Sequence, residues 1–151
     1  MVSSTELADI CIARATANQD LNAWSSFNPQ ALRDAAREAD RRLAAGERLP
    51  LLGIPMALKD NIEATGFPCG AGTAALAGQA PQADAEVVTR LKAAGAVIAG
   101  KLGMHELAMG ITSHNAVTGA VLNPWDRTRS PGGSSGGSGA AVGAHKIRAA
   151  L

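Results

Sequence analysis

The chain has 151 residues, with Lys+Arg 14 against Asp+Glu 13 and a formal net charge of +1, so no net field draws it to nucleic acid or a membrane surface. Hydrophobic residues make up 46% and charged residues 18%, which excludes intrinsic disorder and fits one domain or a piece of a larger one. Two cysteines, Cys11 and Cys69, give neither a disulfide framework nor a zinc pattern and fit a reducing compartment.

The N-terminus, MVSSTELADI, has no basic leader, and no run reaches the roughly 18 apolar residues of a membrane span, so a cytoplasmic location is expected. Residues 4–18 place Leu7, Ile10, Cys11 and Ala15 on one helical face, with Ser3 or Ser4 as N-cap. Asn28-Pro29 reads as an N-cap with Pro at the first helical position, opening a helix that runs to about Ala45 and stops at Gly46. Its apolar face of Leu32, Ala36, Ala39 and Leu43 opposes Arg33, Arg37, Asp40 and Arg41.

Leu51 to Asp60 is short, apolar and broken by Gly53 and Pro55, which predicts a buried strand ending at Lys59-Asp60. A Gly/Pro-rich loop covers 63–82, and Asp84 to Ala94 reads as a helix capped by Asp84 and stopped by Gly95. Ala96 to Gly100 is a second strand, and Met104 to Met109 gives about one helical turn. This β-α-β alternation predicts an α/β fold with a mixed, partly parallel sheet flanked by helices. Residues 1–48 are expected to form leading helices, and 49–151 the first part of an α/β core.

The densest motif is Ser130-Pro131-Gly132-Gly133-Ser134-Ser135-Gly136-Gly137-Ser138-Gly139. By composition it is a flexible linker or a backbone cradle for an anion. A turn at Asn123-Pro124-Trp125 and the helix-forming Ala140-Ala141-Val142 flank it, which argues against a linker. Lys59 ends an apolar strand. It reads either as a snorkelling surface lysine paired with Asp60, or as a desolvated lysine kept neutral to act as a base. His105-Glu106 lacks the second histidine of a zinc-protease helix, because Met109 stands there, and no G-x-S-x-G elbow is present.

Three stretches together resemble the amidase signature family. They are Gly53-Ile54-Pro55 through Lys59-Asp60-Asn61-Ile62, Gly100-Lys101 with Met104-His105-Glu106-Leu107-Ala108, and Asn123-Pro124 into Pro131-Gly132-Gly133-Ser134-Ser135-Gly136-Gly137-Ser138. The spacing of Lys59 and Ser134 also matches. The resemblance implies hydrolysis of amide C–N bonds by a Ser-cisSer-Lys triad. Lys59 matches its lysine, and Ser134 its middle serine on a cis peptide after glycine. Gly132, Gly133, Ser135 and Ser138 would support that loop, and Gly110, Ile111, Thr112 and Ser113 would help bind substrate.

The family's acylating serine, inside a G-T-D-T-G-G-S type segment, would lie beyond Leu151, and its oxyanion donors with it. The chain therefore resembles a truncated, N-terminal part of an amidase, and the piece alone is expected to be inactive. His145-Lys146-Ile147-Arg148 departs from a usually more apolar stretch. The stretch Met104–Ser113 looks most like indoleacetamide and mandelamide amidases, which implies small aromatic amides as substrates. The alternatives are the A subunits of aminoacyl-tRNA amidotransferases and a non-catalytic module whose Gly/Ser loop holds an anion. No metal or organic cofactor is expected. Expected partners are a small amide substrate, no nucleic acid bound directly, no membrane, and a homodimer or other association through sheet faces left uncovered at Leu51–Leu58 and Ala96–Ala99.

Overall fold

A computed structural model describes residues 2–151. The chain opens with α1 (Ser4–Ala17), started by a capping box. Ser3 Oγ accepts from the Glu6 N–H at 3.1 Å, and the Glu6 carboxylate accepts from the Ser3 N–H at 2.7 Å. Strand β1 (Trp24–Phe27) follows, then α2 (Pro29–Ala44), whose N-cap Asn28 accepts from the Ala31 N–H at 3.0 Å as the Asn-Pro pair predicts. Strand β2 (Pro55–Lys59), helix α3 (Glu86–Ala93) and strand β3 (Val97–Leu102) make the expected β-α-β unit, with β2 and β3 parallel. Helix α4 (Gly136–Gly143) and the two-residue strand β4 (Ala149–Ala150) end the chain.

The sheet order is β1-β3-β2-β4, with β1 antiparallel to β3 and β4 parallel to β2. The mixed, helix-flanked sheet is as expected. One face carries Ala57, Ala99 and Leu102 into a core shared with α1, α2 and α4, through Ala8, Ile12, Leu32, Ala36 and Ala140. The other face carries Leu58 and Ile98 into a smaller core with Ala64, Phe67 and Val88. Small side chains let the layers approach closely. A Cβ on Gly137 would sit 2.5 Å from Gly103 N and 2.7 Å from Ala23 O, which fixes α4 directly against the chain entering and leaving the sheet.

Several expectations are corrected. Residues 1–48 are not helices alone, because β1 lies between α1 and α2 and joins the sheet. The buried stripe of α1 is Ala8, Cys11, Ile12 and Ala15, while Ile10 is 45% exposed. Asp40 does not belong to a solvated face. It accepts from the N–H groups of Ser4 and Thr5 at 2.7 and 3.0 Å, so α2 supplies the anion for the N-terminal turn of α1. Asp84 does not cap α3; its carboxylate takes the Thr65 N–H at 2.7 Å and Lys92 Nζ at 2.6 Å. Of the sheet segments expected to stand uncovered, Leu52, Met56, Ala57, Leu58, Val97 and Ala99 are buried, while Leu51, Ile54 and Ile98 are half-buried. Large exposed apolar side chains lie elsewhere, at Met109, Ile111 and Trp125. Among the described residues no helix is long and apolar enough to cross a membrane.

Candidate active site

Lys59 is the last residue of β2, half-buried on the sheet face toward α4. Its backbone is held on both sides: Lys59 N–H donates to Leu151 O at 2.6 Å, and Asp60 N–H donates to Leu102 O at 3.0 Å. The glycine-rich run crosses above it and turns into α4. The Gly133–Ser134 peptide is cis, and Lys59 Nζ lies 2.6 Å from Ser134 Oγ. Burial pushes the Lys59 ammonium below its ordinary value of 10.5. Among the described residues Lys59 has no carboxylate in ion-pair range, so no anion counters that burial. Asp60, read from sequence as its alternative partner, turns the other way, to Ser25 Oγ at 2.8 Å and the Gly72 N–H at 3.2 Å.

The loop around Ser134 is tightly specified. The His105 N–H donates to Ser134 O at 3.0 Å. Gly132 has φ +91°, a left-handed backbone that suits glycine. A Cβ on Gly133 would meet Ile111 C at 2.7 Å and Thr112 N at 2.9 Å, so this run must pass directly against the 110–112 segment. Ser138 Oγ donates to Leu151 O at 3.2 Å, while Ser135 is exposed as the N-cap of α4 and makes no capping bond. A flexible linker does not fit such contacts.

Of the four residues expected near substrate, Gly110 packs on the His105 imidazole and Ile111 is 81% exposed beside the loop. Thr112 is half-buried, and its carbonyl accepts from Ser130 Oγ at 2.7 Å. Ser113 is fully buried, with its hydroxyl bonded to the Gly132 carbonyl and the Gly136 N–H. The structure thus brings Lys59, Ser134 and the 110–113 segment together.

Two buried lysines escaped the sequence reading. Lys101, on β3, is fully buried and donates to the carbonyls of Asp60 and Pro68, each at 3.1 Å, with the Asp60 carboxylate 4.0 Å away. A lysine inside the apolar run AVIAGKL was the available signal, since a buried ammonium must be hydrogen-bonded or paired. Lys146, in the stretch that departs from the family pattern, is fully buried and donates to Asn18 O at 2.6 Å. It supplies a cation to the C-terminal end of α1. Burial lowers the pKa of both groups. Among the described residues no group of three His, Cys, Asp or Glu side chains could hold a metal ion. A cleft of about 440 Å³ between α2 and Phe67 is lined by Arg42, Thr65 and Lys92; Lys92 Nζ reaches the Thr65 hydroxyl at 3.2 Å but is ion-paired with Asp84 at 2.6 Å, unlike Lys59.

A family model described as Amidase matches residues 6–151. The chain is 47% identical over 152 residues to the glutamyl-tRNA(Gln) amidotransferase A subunit of Anaeromyxobacter sp. (strain K), covering 99% of this chain and 31% of that protein. Among solved structures, it resembles a protein from a vestigial complex bearing on the origins of an s-triazine catabolic enzyme. There the TM-score is 0.91 and the identity 40%, over 97% of this chain and 33% of that one. It also resembles native peptide amidase from Stenotrophomonas maltophilia, with a TM-score of 0.89 and 40% identity over 97% of this chain and 32% of that one. The chain spans about a third of the length of these proteins.

Proposed function

This chain belongs to the amidase family, and we propose that it supplies the proton-relay part of a serine-type enzyme that hydrolyses amide C–N bonds. The observation that carries the reading is the 2.6 Å contact between Lys59 Nζ and Ser134 Oγ. A serine hydroxyl is a weak nucleophile until a base takes its proton. A lysine can be that base only when neutral, and burial without a carboxylate partner favours the neutral amine at Lys59. Either group of the pair can donate in this contact, as a relay requires.

In the proposed cycle an acylating serine attacks the amide carbonyl and gives its proton to Ser134, while Ser134 gives its own to Lys59. The C–N bond breaks as the relay runs backward and returns the proton to the leaving amine. Water then attacks the acyl carbonyl and gives its proton to the same path, which returns it to the serine oxygen as the acyl–serine C–O bond breaks and the acid leaves. The resemblance sets the acylating serine beyond Leu151, so the 151 residues assayed alone give no turnover under this reading.

A small aromatic amide is the proposed substrate class. A second reading has one specific support: the relative 47% identical to this chain is an amidotransferase A subunit. The full-length protein tests both. Hydrolysis of an anilide by the purified chain alone, lost in Lys59→Ala and in Ser134→Ala, is the expected result. Turnover that appears only with partner subunits and glutamyl-tRNA would select the amidotransferase. Near-wild-type hydrolysis in either variant would remove these two residues from the reaction.

A further inference from the structure

Ser113 is fully buried and has a left-handed backbone, φ +53°. Its Oγ donates to the Gly132 carbonyl at 2.9 Å and accepts from the Gly136 N–H at 3.0 Å. These two groups stand on either side of Ser134, so a single hydroxyl staples both flanks of the cis turn.

The second bond has a reason in helix physics. The first N–H groups of a helix have no intrahelical partner, and a side chain at the N-cap usually takes one. Ser135 holds the N-cap position of α4 but makes no such bond. Ser113 serves instead, from 23 residues upstream. Gly136 leaves the room for it, since a Cβ there would collide with Ser113 Oγ and lie 2.5 Å from Ser113 Cβ. With the Ser134 carbonyl fixed by the His105 N–H at 3.0 Å, the hydroxyl is the group of Ser134 left to meet Lys59.

We propose that Ser113 is the positioning residue of Ser134: acting through Gly132 and Gly136, its hydroxyl sets the Ser134 Oγ within proton-transfer reach of Lys59. The inference rests on the Lys59–Ser134 relay. It assigns Ser113 to the relay's geometry and not to substrate contact, because its hydroxyl is already shared between two backbone groups.

The test is anilide hydrolysis by the full-length protein carrying Ser113→Ala. Small misplacements of reacting groups cost up to about 10²-fold, so kcat is expected to fall roughly 10- to 100-fold with KM within about twofold of wild type. Gly136→Ala leaves the hydroxyl in place chemically but displaces it, and the same split is expected. Gly139→Ala, whose Cβ would meet only Pro131 O at 3.6 Å, is expected to leave both constants unchanged. A kcat for Ser113→Ala within about twofold of wild type overturns the proposal. So does a rise in KM with kcat intact, which would make Ser113 a substrate contact. Loss of soluble protein with no fall in kcat per folded molecule overturns it too, making Ser113 a folding residue. Lys59→Ala run in parallel separates the failures: an active Lys59→Ala breaks the relay itself, while an inactive one beside a normal Ser113→Ala breaks this inference alone.

Discussion

Lys59 and Lys101 stand on neighbouring parallel strands, one position out of register, on opposite faces of one sheet. Burial lowers the pKa of each. Their surroundings differ. Lys101 is fully enclosed, tied to two carbonyls and set near the Asp60 carboxylate, which offset part of the cost of its burial. Lys59 is only half-buried and meets a single hydroxyl, that of Ser134. The contrast is one of partners: carbonyls and a carboxylate surround Lys101, whereas Lys59 has a lone hydroxyl, and only the second fits the base of the proposed relay.

The largest expected effect separates the two faces. In the full-length protein, Lys59→Met should cost about 10²–10⁴-fold in amide hydrolysis with little change in melting temperature, the range of a lost acid–base group. Hydrolysis should also depend on pH with a definite sign. In the proposed relay the neutral amine is the base, so activity should be present above the Lys59 pKa and lost as pH falls through it. Because burial lowers that pKa, the acid limb of the rate profile should lie below the ordinary lysine value of 10.5. A limb that Lys59→Met leaves in place would assign it to another group.

On the other face, Lys101→Met should act on stability. It leaves the Asp60 carboxylate without its nearby cation and the Pro68 carbonyl without its donor, at a cost of about 3 kcal/mol by denaturant titration, while turnover per folded molecule persists. Loss of activity from a fully folded Lys101→Met would erase the contrast. Gly137→Ala, which drives a Cβ into backbone at Gly103 and Ala23, should cost about 1–3 kcal/mol. The smallest effect is expected at the start of α2: Asn28→Ala removes the helix cap for about 1 kcal/mol and leaves activity alone.

Much of the fold could be read from residues whose signals are local. Asn28-Pro29 names a helix start, and two apolar runs around the 86–93 helix name a parallel pair. Strand β1 could not be read, since WSSF shows no alternation and becomes a strand by pairing with β3 while Trp24 and Phe27 pack 4.5 Å apart. Asp40 looks like a surface charge on α2 until α1 folds back on it, 36 residues away in sequence. At the site, periodicity says nothing of Lys59 or Ser134; family resemblance raised them, and the fold brings them together across 75 residues. The hydrogen bonds of Lys101 and Ser113 could not be read, because their partners are backbone groups distant in sequence, which no residue pattern encodes.

The claim that Lys59 and Ser134 form one proton path is tested most directly by a double-mutant cycle on kcat in the full-length protein. If a single path runs through both, Lys59→Met, Ser134→Ala and the double variant should fall to a common residual rate, because breaking the path twice costs no more than breaking it once. Losses that multiply in the double variant would mean two independent contributions and would contradict the relay.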